Sequence, residues 1–498
     1  MQNVRTRIIL TLILLVLISF KQSSAAPNHV SATSLNAKVR GLVARAKLGK
    51  SSVAVSVRNC ANNQELVGIN AGQAMIPASN MKIFSTGAAL RTLGGDFEFT
   101  TQLVHDGTNL ILLGDGDPTT ADPEVFSEML VRLPDGTEEK FNEETILNFW
   151  VNGTRSAGIT SAQNLLIDDR VFDQNFVHPS WKADQLNRRY SAEVGGLNYH
   201  GNCIDFRPKP AAGKPNWDEH RPRAPWIFNG SRNKSKNGKD NTPWIAGKAG
   251  KDPIEFRGIV KQKAITPVPI TVHDPPIFFG KLIQNRMRAG DIFIGGVSRV
   301  DPQAVKPSGT IIEPVIRTSL LRGIELCNEE SFNLYAESLL KRTVHAKTGR
   351  PGSWNEADAI MKKIIVDTLG NSSKGLLTGV VFADGSGLSR LNRINAALMT
   401  WWLSALQKDP EYGEAFVDSL ALGGKEGTLK KRFSKALPND AILDAKTGYI
   451  NGVSCLSGYV SQPGGRRYAF SVLVNNCSSI GNAKKLQEKI VQAIAASF

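Results

Sequence analysis

The stretch "DAILDAKTGYINGVSCLSGYVSQPGGRRYAFSVLVNN", Asp440 to Asn476, places Asn451-Gly452 and Gly464-Gly465 between runs rich in β-branched and aromatic residues. Asn-Gly readily takes the left-handed backbone of a tight hairpin turn, so the stretch predicts a three-stranded antiparallel meander. From Asn482 onward, Leu486, Ile490, Val491 and Ile494 recur at helical spacing and predict an amphipathic helix that covers this sheet. At the other end of the chain, "SSVAVSVRN" (Ser51–Asn59) alternates small apolar and polar residues, and Asn62-Asn63 turns it toward "ELVGIN" (Glu65–Asn70) as a hairpin. Strands and a helix at each terminus predict one α+β domain built from both ends, with a long middle region richer in Pro, Gly and charge inserted into it. A chain of 498 residues exceeds what one hydrophobic core serves, which agrees with more than one domain.

Between the hairpin and the middle region lies "PASNMKIFSTGAAL", Pro77 to Leu90. Pro77 suits a helix start, and Met81, Phe84 and Ala88, with Ile83, Gly87 and Leu90 one face over, carry helical spacing as far as Gly94-Gly95. Ser79 and Lys82 are three apart and share a face. Serine needs a base beside it to act as a nucleophile, and lysine is a base only where burial or a second cation destabilises its ammonium. A helix N-terminus also offers N–H groups and a positive dipole end to an oxyanion. The same spacing occurs at Ser231/Lys234, in a basic loop, and at Ser338/Lys341, inside a helical run, so it is not informative alone.

Two further elements add to it. "EESFNLYAESLLKR" puts Ser331 and Asn333 just ahead of another helix, and "AKTGYING" puts Lys446, Thr447 and Gly448 on a strand before the Asn-Gly turn. A second Lys347-Thr348-Gly349 follows Ser331 too closely and has no strand pattern, so Lys347 reads as a loop residue. Ser386 in "DGSGLS" does not satisfy Gly-x-Ser-x-Gly and reads as a turn after a strand "GLLTGVVFA". Asp115 and Asp117 lack the rest of a calcium loop and read as a Gly-rich turn.

In the order Ser-x-x-Lys, Ser-x-Asn, Lys-Thr-Gly, these motifs resemble the penicillin-binding, serine DD-peptidase superfamily. The blocks "GDGDPTTADPE", "LLIDDRVFD", "HPSWKADQL", "PGSWNEA", "FADGSGLSRLNRI", "SLALGGKEGTLKKRF" and "LSGYV" are similar to those of its S13 family, the class C penicillin-binding proteins of the D-alanyl-D-alanine carboxypeptidase and endopeptidase type. The resemblance runs from the first strand to the C-terminus and weakens in the basic middle. It implies a penicillin-binding/β-lactamase-like serine transpeptidase fold, with a discontinuous catalytic domain over residues 35–106 plus 305–498 and smaller β-rich domains inserted over 107–304. It also implies roles. Ser79 attacks the carbonyl of a D-Ala-D-Ala or D-amino-acid cross-link in peptidoglycan stem peptides, Lys82 takes its proton, and Ser331 passes a proton to the leaving amine. Asn333 holds the substrate amide and Lys82, while Lys446 and Thr447 bind the substrate carboxylate. Lys446 further supplies the cation that lowers the Lys82 pKa. The oxyanion hole uses the backbone N–H groups of Ser79 and Tyr449, the residue after Gly448. β-Lactams are the expected inhibitors, and no cofactor or metal is expected. Phe332, inside Ser-x-Asn, stands where the family usually has a small or acidic residue, and is expected to face away from the serine. The rivals are a β-lactamase or esterase on the same scaffold, although class C β-lactamases usually carry tyrosine at the Ser331 position, and a non-catalytic wall-binding protein.

The remaining features bound the setting. Arg5 and Arg7 precede an apolar run from Ile8 to Phe20 and the small residues Ser23-Ser24-Ala25, the pattern of a secretory signal peptide over residues 1–25, with a retained anchor as the alternative. That pattern predicts an exported, periplasmic or cell-envelope protein. Its removal takes the formal net charge from +15 to +12. Much of the surplus sits between Arg207 and Lys263, with 14 Lys and Arg against 5 Asp and Glu. Without stacking aromatics or a basic helical face this is no nucleic-acid footprint; a solvated loop is expected, the alternative being attraction to an anionic polymer or membrane surface. Cys60, Cys203, Cys327, Cys455 and Cys477 form no CxxC pair and the seven histidines no ligand spacing, which argues against metal and leaves either one or two disulfides or buried thiols. The oligomeric state is not legible.

Overall fold

The computed structural model describes residues 32–126, 130–132 and 138–498. The signal sequence read at residues 1–25 lies outside the described residues. No helix among the described residues is long and apolar enough to cross a membrane.

The two termini meet in one antiparallel sheet. Its six strands run in the order 421–422, 442–450, 453–461, 467–475, 52–59 and 65–69, so the first strand of the chain lies beside the last, with Ser52 opposite Asn475 and Asn59 opposite Tyr468. Both faces are covered. Val53, Val55 and Val57 point with Leu456, Val460, Phe470 and Val472 toward the helices Ala32–Ala44 and Ile480–Ala495. Ala54, Cys455, Tyr459, Ala469 and Leu473 face a second core with Met81, Phe84 and Trp402. The period-two alternation of the sequence thus separates two buried faces, and the smaller residues take the side where helices come close. Ser56 sits on that side and bonds Thr400 Oγ1 at 2.9 Å, which satisfies a hydroxyl that burial would otherwise strand.

The middle of the chain forms two further layers. Strands 293–299, 161–168, 110–114, 98–105 and 310–319 make a mixed sheet in that order, covered by the helices Glu143–Ser156 and Pro275–Ala289. Strands 98–105 and 310–319 pair with each other, across the positions 106/107 and 304/305 where the sequence reading set domain boundaries. Residues 203–271 add short two- to four-residue strands around Phe206, Trp217, His220, Phe228 and Phe256, whose touching rings have centroids 4.7–6.1 Å apart. This corrects the expectation of a solvated loop over 207–263. Most of the charges are on the outside of a small module with an aromatic core, the exception being Lys248, buried and paired with Glu193 at 2.7 Å. All five cysteines are buried free thiols, so the disulfide alternative does not hold.

Candidate active site

The helix Met81–Leu93 is preceded by a single 3-10 turn, Ala78–Asn80, so Ser79 stands on a tight turn leading into the helix. Ala78, fully buried, takes a left-handed backbone conformation at φ 46°, which sets the carbonyl and N–H directions around Ser79 at a cost of about 1–3 kcal/mol. Lys82 lies one turn on and is buried. Its Nζ donates to Ser79 Oγ at 3.1 Å, to Asn333 Oδ1 at 2.7 Å and to the Ser386 carbonyl at 3.0 Å. Those three partners come from three distant parts of the chain and converge on one amine.

Asn333 opens the helix Asn333–Thr348 and also donates from Nδ2 to the Tyr190 carbonyl at 2.7 Å, so the inserted region holds the second end of this side chain. Ser331, two residues earlier, is also left-handed, at φ 69°, and a non-glycine in that region is retained where surrounding structure enforces it. Phe332 packs on the Tyr335 ring at 5.4 Å and takes no part in lining the cleft, as expected.

On the far side, the strand Ile442–Ile450 lies against the Ser79 turn. Asn80 Nδ2 donates to the Lys446 carbonyl at 2.6 Å. A Cβ at Gly448 would stand 2.7 Å from the Pro77 carbonyl oxygen and 3.1 Å from the Asn80 nitrogen, so glycine is needed for this approach. Lys446 is buried, and its Nζ donates to the Thr447 carbonyl at 3.3 Å. A cleft of about 600 Å³ joins these parts, lined by Ser79, Ser331, Asn333 and Tyr449 from the sequence motifs. Lys82 and Lys446 lie behind its wall, Thr447 is half-buried on the strand, and Gly448 backs the serine turn.

Burial lowers the Lys82 ammonium to about 8, against the opposing pull of the Cys327 thiol and the Glu337 and Asp384 carboxyls. The expectation assigned this depression to the charge of Lys446; burial is the cause instead. Repulsion between the two amines is expressed on Lys446, which burial first and Lys82 second push well below the ordinary lysine range. Lys82 is therefore half neutral near pH 8 and mostly charged below it; in its neutral form it has two N–H groups for Asn333 and Ser386 and a lone pair for the Ser79 hydroxyl. Acylation by a β-lactam is expected to accelerate as pH rises through about 8 and then level, a limb read from second-order labelling rates between pH 6 and 10. Rates that are flat across this range would contradict Lys82 as the base.

With this geometry in place, comparison with known proteins decides the lineage. The profile of the D-Ala-D-Ala carboxypeptidase 3 (S13) family matches residues 35–497. The chain belongs to that family. It is a serine-type D-Ala-D-Ala carboxypeptidase of the S13 group. It is similar to a D-alanyl-D-alanine carboxypeptidase of Actinomadura sp. (strain R39), 28% identical over 89% of this chain and 80% of that one. It also resembles the D-alanyl-D-alanine carboxypeptidase DacB of Haemophilus influenzae, 23% identical over 86% of each. Among solved structures, penicillin binding protein 4 of Haemophilus influenzae superposes with a TM-score of 0.70 at 20% identity, covering 92% of this chain and 99% of that one. That likeness shows the shared α+β fold.

Some residues of this S13 site were not picked out by the sequence motifs. Ser386, read there as part of a turn, is part of one, and its carbonyl is a ligand of the Lys82 amine. Gly387 packs its backbone on the serine turn; a Cβ there would lie 1.9 Å from the Ala78 carbonyl oxygen. Ser180, Lys182, Gln185 and Tyr190 form a wall of the cleft from the inserted region, and Arg390 and Asn451, joined by a 2.8 Å bond from Arg390 Nη1 to the Asn451 carbonyl, form another. Apart from Tyr190, the sequence carried them only inside the longer blocks "HPSWKADQL", "FADGSGLSRLNRI" and "AKTGYING", with no role attached to these positions. Lys347 is an exposed residue in the last turn of the helix Asn333–Thr348, which places it on a helix where a loop was expected. Asp117 is tied to Thr119, Thr120 and Thr318, and Asp115 pairs with Arg342 at 2.9 Å; both serve local structure.

Proposed function

We propose that the chain hydrolyses D-Ala-D-Ala termini, and D-amino-acid cross-links, of peptidoglycan stem peptides through an acyl-enzyme on Ser79. The observation that carries this reading is the Lys82 amine 3.1 Å from Ser79 Oγ, with its other hydrogens engaged by Asn333 and Ser386, at the floor of a cleft large enough for a short peptide. Ser79 Oγ bonds to the carbonyl carbon of the penultimate D-alanine as its proton passes to Lys82. The resulting oxyanion is stabilised by the N–H groups of Ser79 and Tyr449. Ser331 delivers a proton to the departing amine and is reprotonated by Lys82, which is thereby neutral again; the C–N bond breaks, and terminal D-alanine leaves. Water then attacks the ester, Lys82 again accepting the proton, and the serine is regenerated. Lys446, Thr447 and Gly448 form the strand that receives the substrate carboxylate and backbone, and Asn333 holds the substrate amide.

β-Lactams are inhibitors in this reading because their strained amide acylates the same hydroxyl and leaves an ester that hydrolyses slowly. A solved complex of the Haemophilus influenzae protein with a β-lactam supports it by shared fold. The site of action is the cell envelope, where the polymer is, and the signal-like N-terminus agrees. The catalytic unit is proposed to comprise the terminal sheet with its helices, residues 98–319 forming the inserted units.

Purified protein incubated with a peptide ending in D-Ala-D-Ala is expected to release D-alanine, and penicillin is expected to leave a long-lived adduct of one equivalent. Rapid nitrocefin turnover without a persistent adduct would instead favour a β-lactamase on this scaffold.

A further inference from the structure

Two buried acids beside the site have no part in the chemistry above. Glu337 lies four residues after Asn333 on the same helix and so on the same face, and is fully buried. Its carboxylate accepts the Gly385 and Ser386 N–H groups, each at 2.8 Å, and Trp354 Nε1 at 2.8 Å. Asp384, 1% exposed, accepts Gly387 N–H at 2.8 Å and Asn392 Nδ2 at 2.7 Å on one oxygen. Its other oxygen accepts Ser389 N–H at 2.6 Å and Trp181 Nε1 at 2.9 Å.

A trans peptide unit points its N–H and C=O in opposite directions. The unit between Ser386 and Gly387 has its N–H on Asp384, and its carbonyl therefore points the other way, onto Lys82 Nζ at 3.0 Å. The preceding unit, between Gly385 and Ser386, has its N–H on Glu337 and its carbonyl on Ser85 Oγ at 2.7 Å, one turn along the nucleophile helix from Lys82. The two acids thus pull on one side of a short backbone segment while the helix of Lys82 receives its other side.

We infer that Asp384 and Glu337 are positioning residues for acylation: they hold the Ser386 carbonyl that, together with Asn333, fixes two hydrogens of the Lys82 amine and leaves its lone pair on Ser79. Carboxylates suit this work because, once ionised, they are acceptors at both oxygens; burial first and the facing Asp384 second raise Glu337 to about 7, so it is fully of this kind only above that pH. An amide of the same shape turns a donor against backbone N–H groups at one of its two ends, so the isosteric replacement disturbs the segment without creating a cavity. The inference rests on Lys82 as the base for Ser79.

Glu337→Gln and Asp384→Asn in the full chain test it, with fluorescent penicillin and a D-Ala-D-Ala peptide as probes. The titratable groups facing Lys82 are Cys327, Glu337, Asp384 and Lys446; those facing the acids include Lys341 beside Glu337 and His178 beside Asp384. Each variant is expected to lose ten- to a hundred-fold in acylation rate and kcat while KM stays within about three-fold. The acid limb of its rate profile is expected to move to lower pH, because a negative charge that favours the Lys82 ammonium has gone. Ser85→Ala, which removes only the bond to the Gly385 carbonyl, is expected to remain folded and to lose three- to ten-fold in acylation, and it decides the matter if either acid variant fails to fold. Folded variants that acylate at the wild-type rate with an unmoved limb overturn the inference and leave the Ser79–Lys82 reading standing. Wild-type protein that penicillin does not acylate at Ser79 overturns that reading first.

Discussion

Ser79→Ala is expected to abolish D-alanine release and penicillin labelling, a loss of at least about 10⁴-fold, while thermal unfolding shifts little. The hydroxyl is half-buried at the cleft floor and its recorded partner is the Lys82 amine, so deletion strands no second group: Lys82 keeps Asn333 and Ser386. Ala78 and Asn80, not the serine side chain, hold the turn, through the left-handed Ala78 backbone and the Asn80 bond to the Lys446 carbonyl. Chemistry and stability therefore separate cleanly at this position. Labelling of the variant at a comparable rate would place the nucleophile elsewhere.

Lys82→Ala is expected to reduce acylation by about 10³-fold or more at pH 8, with the protein still folded. Opposing contributions to stability set the second half of that expectation. A lysine lowered to about 8 binds fewer protons when folded than when unfolded, so holding it buried costs about 3 kcal/mol at pH below 8, a cost that fades as pH rises toward the ordinary lysine range. Its removal relieves that cost. It also leaves the Asn333 side-chain oxygen and the Ser386 carbonyl without a donor, at about 1–3 kcal/mol each unless water enters. Truncating the fully buried stem also leaves a cavity, at about 2–5 kcal/mol, so the melting temperature is expected to fall by several degrees with a native-like circular dichroism spectrum, while labelling collapses. A variant that acylates within ten-fold of wild type would remove Lys82 from the role of base.

The terminal domain was legible because its signals are local and strong. Asn451-Gly452 fixes one turn, the Val53/Val55/Val57 alternation fixes a strand and its faces, and the 3.6-residue spacing after Asn482 fixes a helix. The three motifs could be read for the same reason: two sit at helix starts and the third on a strand running into an Asn-Gly turn, and the fold brings Ser79, Lys82, Asn333 and the Lys446 strand together. The module over 203–271 was missed because its strands are two to four residues long, too short for any periodicity; long-range contacts among Phe206, Trp217, Phe228 and Phe256 create it. The apolar run "GLLTGVVFA" looked like a strand, yet residues 371–377 form a 3-10 helix and Gly379 turns left-handed at φ 70°, leaving only a bridge from Val381 to Arg393. Glu337 looked like any helical acid. Its function as an acceptor for Gly385 and Ser386 depends on a loop nearly fifty residues away in sequence, which no local pattern encodes.

The most direct test is peptide mapping of the penicilloyl adduct. Wild-type protein trapped with penicillin at pH 8, digested and sequenced by mass spectrometry should carry the added mass on Ser79, at one equivalent per chain. An adduct on Ser331, Ser386, Ser180 or any other residue would contradict the central claim that a buried, neutral Lys82 makes the Ser79 hydroxyl the nucleophile.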